Sequence, residues 1–226
     1  MLVLDETGRV FLGFTSALYL AAAWYARAYL ATDDAATRFF VLLFAAMTGN
    51  FALILAGDVA AFYCGFALMG LASAGLVLHR GDPESQRAGR IYLALAMVGE
   101  VLIFAGFTFL VAGNGTLEIA ALHQVAPSLP ALALVLTGFG IKAGMLTLHF
   151  WLPLAHPAAP VPASAVLSGA MIKAGLLGWL RFLPLGEAAM PTIGYGYMIA
   201  GLAAAGLGTV VGVVQTNPKT VLAYSS

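Results

Sequence analysis

The run PALALVLTGFGIKAGMLTLHFWLP, residues 130–153, carries one charged side chain, Lys142, in an otherwise apolar stretch. Residues 130–149 alone supply the roughly 20 apolar positions that a helix needs to cross a hydrocarbon core. Gly140 and Gly144 flank the lysine, where they loosen the helix and let another backbone come close. Pro153, Pro157, Pro160 and Pro162 follow. Each removes a backbone donor and blocks helix continuation, so nearby carbonyls need water or side-chain partners. The pattern predicts a helix broken near 140–153 beside a buried lysine, which is how transporters line polar cavities at membrane depth.

The rest of the chain agrees with a membrane setting. Of its 226 residues, 62% are hydrophobic and 9% charged, against roughly 25% charged in a soluble domain. So few polar groups cannot cover a globular surface, and the fold class is all-α integral membrane. Net charge is zero, leaving no basic field to attract nucleic acid. Apolar segments at about 8–30, 38–57, 59–79, 91–112 and 163–182, with 192–214 and 130–149, predict seven spans in a single transmembrane domain over 1–226. A short surface helix is expected at 116–125. The first span follows Asp5 and Glu6 rather than a basic region and exceeds a signal-peptide core, so it reads as retained. Asn217-Pro218 looks like an N-cap and first helical position opening an eighth helix. The segment from Pro218 to Ser226 makes about 13 Å of helix, too little to cross, so the chain either stops inside an eighth helix or relies on a partner to continue it.

Arg27, Arg38, Arg80, Arg87, Arg90 and Lys219 fall in joints on one side, and Arg9 and Arg181 on the other. The positive-inside rule then places the N-terminus outside a cytoplasmic (inner) membrane and the 80–90 and 153–162 loops inside the cell.

Glu100, Lys142 and Lys173 lie deep in their spans. A charge at the bilayer centre costs at least about 2.5–3.5 kcal/mol, and a lysine stem snorkels well only from helix ends. These groups should therefore face the bundle interior, paired or hydrated. One reading is a structural ion pair that fixes helix packing. The other is a relay, because burial and a neighbouring carboxylate push an amine's proton affinity in opposite directions. Two lysines for one carboxylate leave at least one imperfectly paired, which favours the relay.

His149 follows Lys142 by two turns on the same face of a continuous helix, and imidazole titrates near pH 6.5, suiting a proton entry route. An interfacial histidine bonded to a freed carbonyl is an equal alternative. His156 reads as loop structure, and His79 and His123 carry no assigned role. Asp58 reads as a helix cap, and Cys64 as a buried, inert thiol. The histidines lack metal-ligand spacing, no phosphate loop or dinucleotide fingerprint occurs, and no cofactor is expected.

Residues 138–175, GFGIKAGMLTLHFWLPLAHPAAPVPASAVLSGAMIKAG, and the terminal QTNPKTVLAYSS resemble the antiporter-like membrane subunits. That family includes the proton-pumping subunits of respiratory complex I, the membrane subunits of energy-converting hydrogenases and the Mrp cation/proton antiporters. The resemblance implies about fourteen helices in two inverted repeats, each with a broken helix, this chain supplying roughly the first. It implies that Lys142 is the central proton-holding lysine, that Lys173 passes protons between centre and entry route, and that His149 is the histidine before the W-L-P motif. It also implies a proton- or cation-translocating function inside a redox-driven or antiporter complex. Partners would be other membrane subunits, including one that supplies the missing helices, and any redox cofactor would belong to them. A non-pumping structural or assembly subunit is the alternative. In FALMGLAS, residues 66–73, Ala67 stands where the family's W-E-L-M-S-L-A-S-like motif has its glutamate. Glu100, one helix later, is the expected substitute.

Overall fold

A computed structural model describes residues 2–122, 126–184 and 191–226. Among these residues ten α-helices run in order: α1 Glu6–Tyr29, α2 Ala36–Ile54, α3 Val59–Val77, α4 Pro83–Asn114, α5 Leu129–Ala143, α6 Leu152–Ala158, α7 Val161–Val166, α8 Lys173–Phe182, α9 Pro191–Val213 and α10 Pro218–Ser225. Among the described residues no strand forms, and only two isolated bridges occur, Leu2 with Ala56 and Asp58 with Glu118. Among the described residues, five helical stretches are long and apolar enough to cross a membrane: Ala36–Ile54, Val59–Val77, Pro83–Asn114, Val161–Phe182 and Gly194–Val213.

Local chemistry sets the helix starts. Asp58, Asp82 and Ser128 accept from the backbone N–H groups of Ala61, Ser85 and Ala131, satisfying donors that an N-terminus leaves open. Asp58 thus caps α3 as expected, and Asn217 caps α10 through Lys219 N–H. The helix expected at 91–112 starts earlier, at Pro83, because Asp82 caps it and proline fits the first turn. The surface helix expected at 116–125 is a single 3₁₀ turn, Ile119–Ala121, and His123 lies outside the described residues. The 163–182 span is one path with a widened turn at Leu167–Met171, where Ile172 N–H reaches back to the Leu167 carbonyl at 3.1 Å.

Glycines bring backbones together. A Cβ at Gly65 would sit 2.7 Å from the Leu53 nitrogen, and one at Gly49 would sit 2.7 Å from the Gly65 carbonyl oxygen, so α2 and α3 touch main chain to main chain. Gly99 and Gly138 do the same for α4 and α5, and Gly175 for α8 against α5. Without a solvent-driven hydrophobic effect between helices in lipid, such close packing supplies the attraction. Phe62, Phe66, Phe107, Phe139 and Phe182 fill the centre with paired rings, as in the 4.9 Å contact between Phe62 and Phe182.

Two polar ties close opposite ends. Arg181, 5% exposed, donates to the carbonyls of Leu53, Ile54 and Ala56 and reaches Asp5 at 3.2 Å. Its guanidinium thereby satisfies the open C-terminal carbonyls of α2. At the other end His79 meets Asp33 at 3.1 Å, and Arg38 donates to the His79 carbonyl. The His79 bond holds the Asp33 carboxyl, in the first joint, below its ordinary value.

Cys64 is a correction: it is exposed, not buried. It lies on the outward side of α3 and lines an apolar groove of about 370 Å³ with Tyr63, Phe104 and Val111.

Two outcomes follow for stability in detergent. Gly65→Leu should prevent α2 and α3 from closing and abolish a monodisperse folded peak. Gly13→Leu, where no atom lies within 4 Å of a new Cβ, should change stability by no more than about 0.5 kcal/mol. Arg181→Met should lower unfolding free energy by about 3 kcal/mol in a denaturant titration, because it leaves three carbonyls without their donor. Arg181→Lys should restore little of it, since an ammonium cannot span the same fork.

Candidate functional site

Gly144 ends α5. Its φ of 75° is left-handed, its N–H bonds the Ile141 carbonyl, and Met145 N–H bonds the Gly140 carbonyl at 2.8 Å. This is a Schellman termination, which a residue without a Cβ adopts at no steric cost. The chain then runs non-helically, with Thr147 at a φ of 77°, until α6 resumes at Leu152. The broken helix expected near 140–153 is present. Its cause is the glycine turn, while the prolines shape α6 and α7 beyond it. Carbonyls freed by the break find side-chain partners: Trp151 Nε1 donates to the Ile141 oxygen at 2.9 Å, and Lys219 Nζ donates to the Ala159 oxygen at 2.6 Å.

Lys142 sits two residues before this turn and is 5% exposed. Its amine donates to the Tyr92 hydroxyl at 2.6 Å and lies 5.8 Å from the Phe66 ring centroid, whose negative face attracts a cation. Glu100, on α4, is also buried. A Cβ at Gly70 would be 2.6 Å from Glu100 Oε1 and 4.0 Å from Lys142 Nζ. Carboxylate and amine therefore lie together beside the bare backbone of α3 at Gly70. Among the described residues, the ion pairs within 4.0 Å are His79–Asp33 and Arg181–Asp5, and Glu100 with Lys142 is not one of them. The two groups share a cavity of about 10 Å³ with Phe66, Tyr92, Gly99 and Trp151.

The other expected site residues lie elsewhere. The same-face reading of His149 fails, because α5 ends at Ala143 and the next eight residues are non-helical. His149 instead lines a separate cavity of about 580 Å³ with Gly144, Trp179, Tyr197 and Tyr224, and its ring lies 6.3 Å from that of Tyr224. Lys173 opens α8 just after the widened turn and is half-buried. Its amine makes no hydrogen bond or ion pair among the described residues, and it lines neither cavity. His156 is fully buried inside α6, not in a loop, with Nδ1 at 2.9 Å from Ser164 Oγ.

Sequence reasoning missed Tyr92, Gly70, Trp151 and Lys219. Tyr92, Ala96, Gly99 and Glu100 all line the small cavity, and their spacing is that of one helical face. Reading outward from Glu100 at that period finds the tyrosine.

Known proteins share both this sequence pattern and this fold. The family described as NADH:quinone oxidoreductase/Mrp antiporter, TM, matches residues 56–226. Hydrogenase-4 component B of Escherichia coli K12 is 40% identical over 63% of this chain and 21% of its own length. A subunit of the probable K(+)/H(+) antiporter of Rhizobium meliloti is 35% identical over 74% of this chain and 32% of its own. NADH-quinone oxidoreductase subunit N of Polaromonas naphthalenivorans is 28% identical over 100% of this chain and 48% of its own. The chain thus spans less than half the length of these relatives. In structure it resembles a chain of the membrane-bound sulfane sulfur reductase, an archaeal respiratory membrane complex, with a TM-score of 0.90 at 20% identity, covering 99% of this chain and 47% of that one. It also resembles a chain of the Mrp complex from Dietzia sp., with a TM-score of 0.82 at 24% identity, covering 99% and 43%. Both likenesses concern the fold. With a family match over most of its length and a buried lysine at a broken helix, the chain belongs to the NADH:quinone oxidoreductase/Mrp antiporter transmembrane family.

Proposed function

We propose that the chain is a proton- or cation-translocating membrane subunit of a complex of the NADH-quinone oxidoreductase, hydrogenase or Mrp antiporter kind. The observation that carries this reading is the meeting of Lys142 and Glu100 in one small buried cavity at the break between α5 and α6. An amine and a carboxylate near each other, outside direct contact, can exchange a proton through an intervening group without first breaking a tight pair.

Lys142 is the carrier. Glu100 is its modulating counter-charge and takes the place of the glutamate missing at Ala67. Lys173, a second amine with no bonded partner among the described residues, is the relay. His149 serves the entry route from the 580 Å³ cavity that it lines.

Seven crossings follow if α1 and the broken pair α5–α6 join the five long apolar stretches, with α10 beginning an eighth. The excess of basic residues on one side orients the bundle in the cell's inner membrane with the N-terminus outside. Partners are further membrane subunits of a multisubunit complex. Electron-transfer cofactors belong to those partners, and this chain contributes to a redox-driven or antiporter complex rather than housing a redox or hydrolytic site. Ala67 favours one other reading, a non-pumping structural subunit.

In vesicles containing the chain with its co-purifying subunits, Lys142→Met should cut ion flux by about a hundredfold while leaving assembly intact. Glu100→Gln should lower flux several-fold. Full flux in Lys142→Met would remove the carrier role and leave the structural reading standing.

A further inference from the structure

The amine of Lys142 has two acceptors in reach of its cavity and takes the neutral one. Its bond goes to the Tyr92 hydroxyl at 2.6 Å, while the Glu100 carboxylate, on the same cavity, is not within 4.0 Å of it. In a low-dielectric interior a carboxylate attracts an ammonium far more strongly than a phenol does. A freely swinging lysine would collapse onto Glu100. Something fixes the amine where it is.

We infer that Tyr92 is a positioning residue, whose hydroxyl holds the Lys142 amine off the Glu100 carboxylate and keeps between them a gap the size of one water molecule. The inference rests on the translocation reading above and adds a residue to it.

Tyr92 is itself held rigidly. It is 2% exposed, and its ring stands edge-on to Trp151 at 4.9 Å and 68°. Trp151 is pinned in turn by its bond to the Ile141 carbonyl, across the break. A tyrosine with its ring locked from behind cannot follow the lysine towards Glu100. The pocket that Tyr92, Glu100 and Lys142 line together has room of about 10 Å³, close to the least volume that holds a single water. Amine, carboxylate and phenol give that water three polar partners, within the range that buried waters use. Gly70 is part of the same construction, because a Cβ there would meet Glu100 Oε1 at 2.6 Å and close the gap from the α3 side. A direct ammonium–carboxylate pair would store the proton. A water-spaced pair can release it.

The test couples two measurements on the chain in its native membrane assembly. In the first, ion flux is compared for Tyr92→Phe, Glu100→Gln and the double variant. Tyr92→Phe should slow flux several-fold when Glu100 is intact, because the amine then falls onto the carboxylate. It should cost nothing further in the Glu100→Gln background. In the second, tyrosines are labelled with carbon-13 at the phenolic position, and the Tyr92 signal is identified as the one lost in Tyr92→Phe. That signal should move in Lys142→Met. An equal flux penalty for Tyr92→Phe in both backgrounds would make the tyrosine a packing residue and overturn the inference. So would a Tyr92 signal unchanged by Lys142→Met. If that signal moves while Lys142→Met carries full flux, the contact stands and only the translocation reading falls.

Discussion

A bilayer offers no solvent to a freed carbonyl or a stranded amine, and the region between α5 and α6 is built around that constraint. A helix interrupted in hydrocarbon exposes backbone groups at a cost of several kcal/mol each. Here the Gly144 turn reuses the Gly140 and Ile141 carbonyls internally, and Trp151 donates a second bond to the Ile141 oxygen. At the next joint, between α6 and α7, Lys219 reaches from α10 to the Ala159 oxygen. Arg181 does equivalent work for three carbonyls at the end of α2. Side chains that look like loose charges in the sequence are thus the partners of broken backbone. The bonds to the Gly140 and Ile141 carbonyls fix the end of α5, and with it the point from which the Lys142 side chain departs.

Close helix approach makes the second contribution. Gly99 against Gly138 brings α4 up to α5, which sets Glu100 and Tyr92 on either side of the Lys142 amine. Gly70 then leaves α3 bare where a side chain would push the carboxylate away. Gly99, Gly138 and Gly175 are packing residues, and the electrostatics of the cavity follow from what that packing places side by side.

Membrane class and the approximate positions of the long apolar stretches were legible because hydropathy over about 20 residues is a strong signal. The break near Lys142 was legible from its glycines and prolines. The burial of Glu100 and Lys142 was legible from the cost of exposing either to lipid. What was not legible depended on backbone geometry at single residues. A left-handed Gly144 turns His149 away from Lys142, which no count of residues per turn can anticipate once the helix stops. Cys64 lies on the outward face of a helix that is apolar all round, so periodicity gave no face to choose. The Arg181 tie joins residues far apart in the chain, and its partners are carbonyls, which carry no mark in the sequence. Tyr92 was in principle readable from its spacing to Glu100, but a tyrosine in an apolar span looks like packing until its hydroxyl is seen to accept from an amine.

The five phenylalanines at the bundle centre bear on direction. Phe66 lies against the Lys142 amine, and Phe62, Phe107, Phe139 and Phe182 continue from it towards the end that Arg181 closes. This makes a dry floor beneath the charge, with no donor or acceptor on any of its rings. No polar group on these rings offers the Lys142 amine a partner along the bundle axis. Under the proposed carrier role, a proton held there would have to leave by the side on which it came or pass laterally between helices.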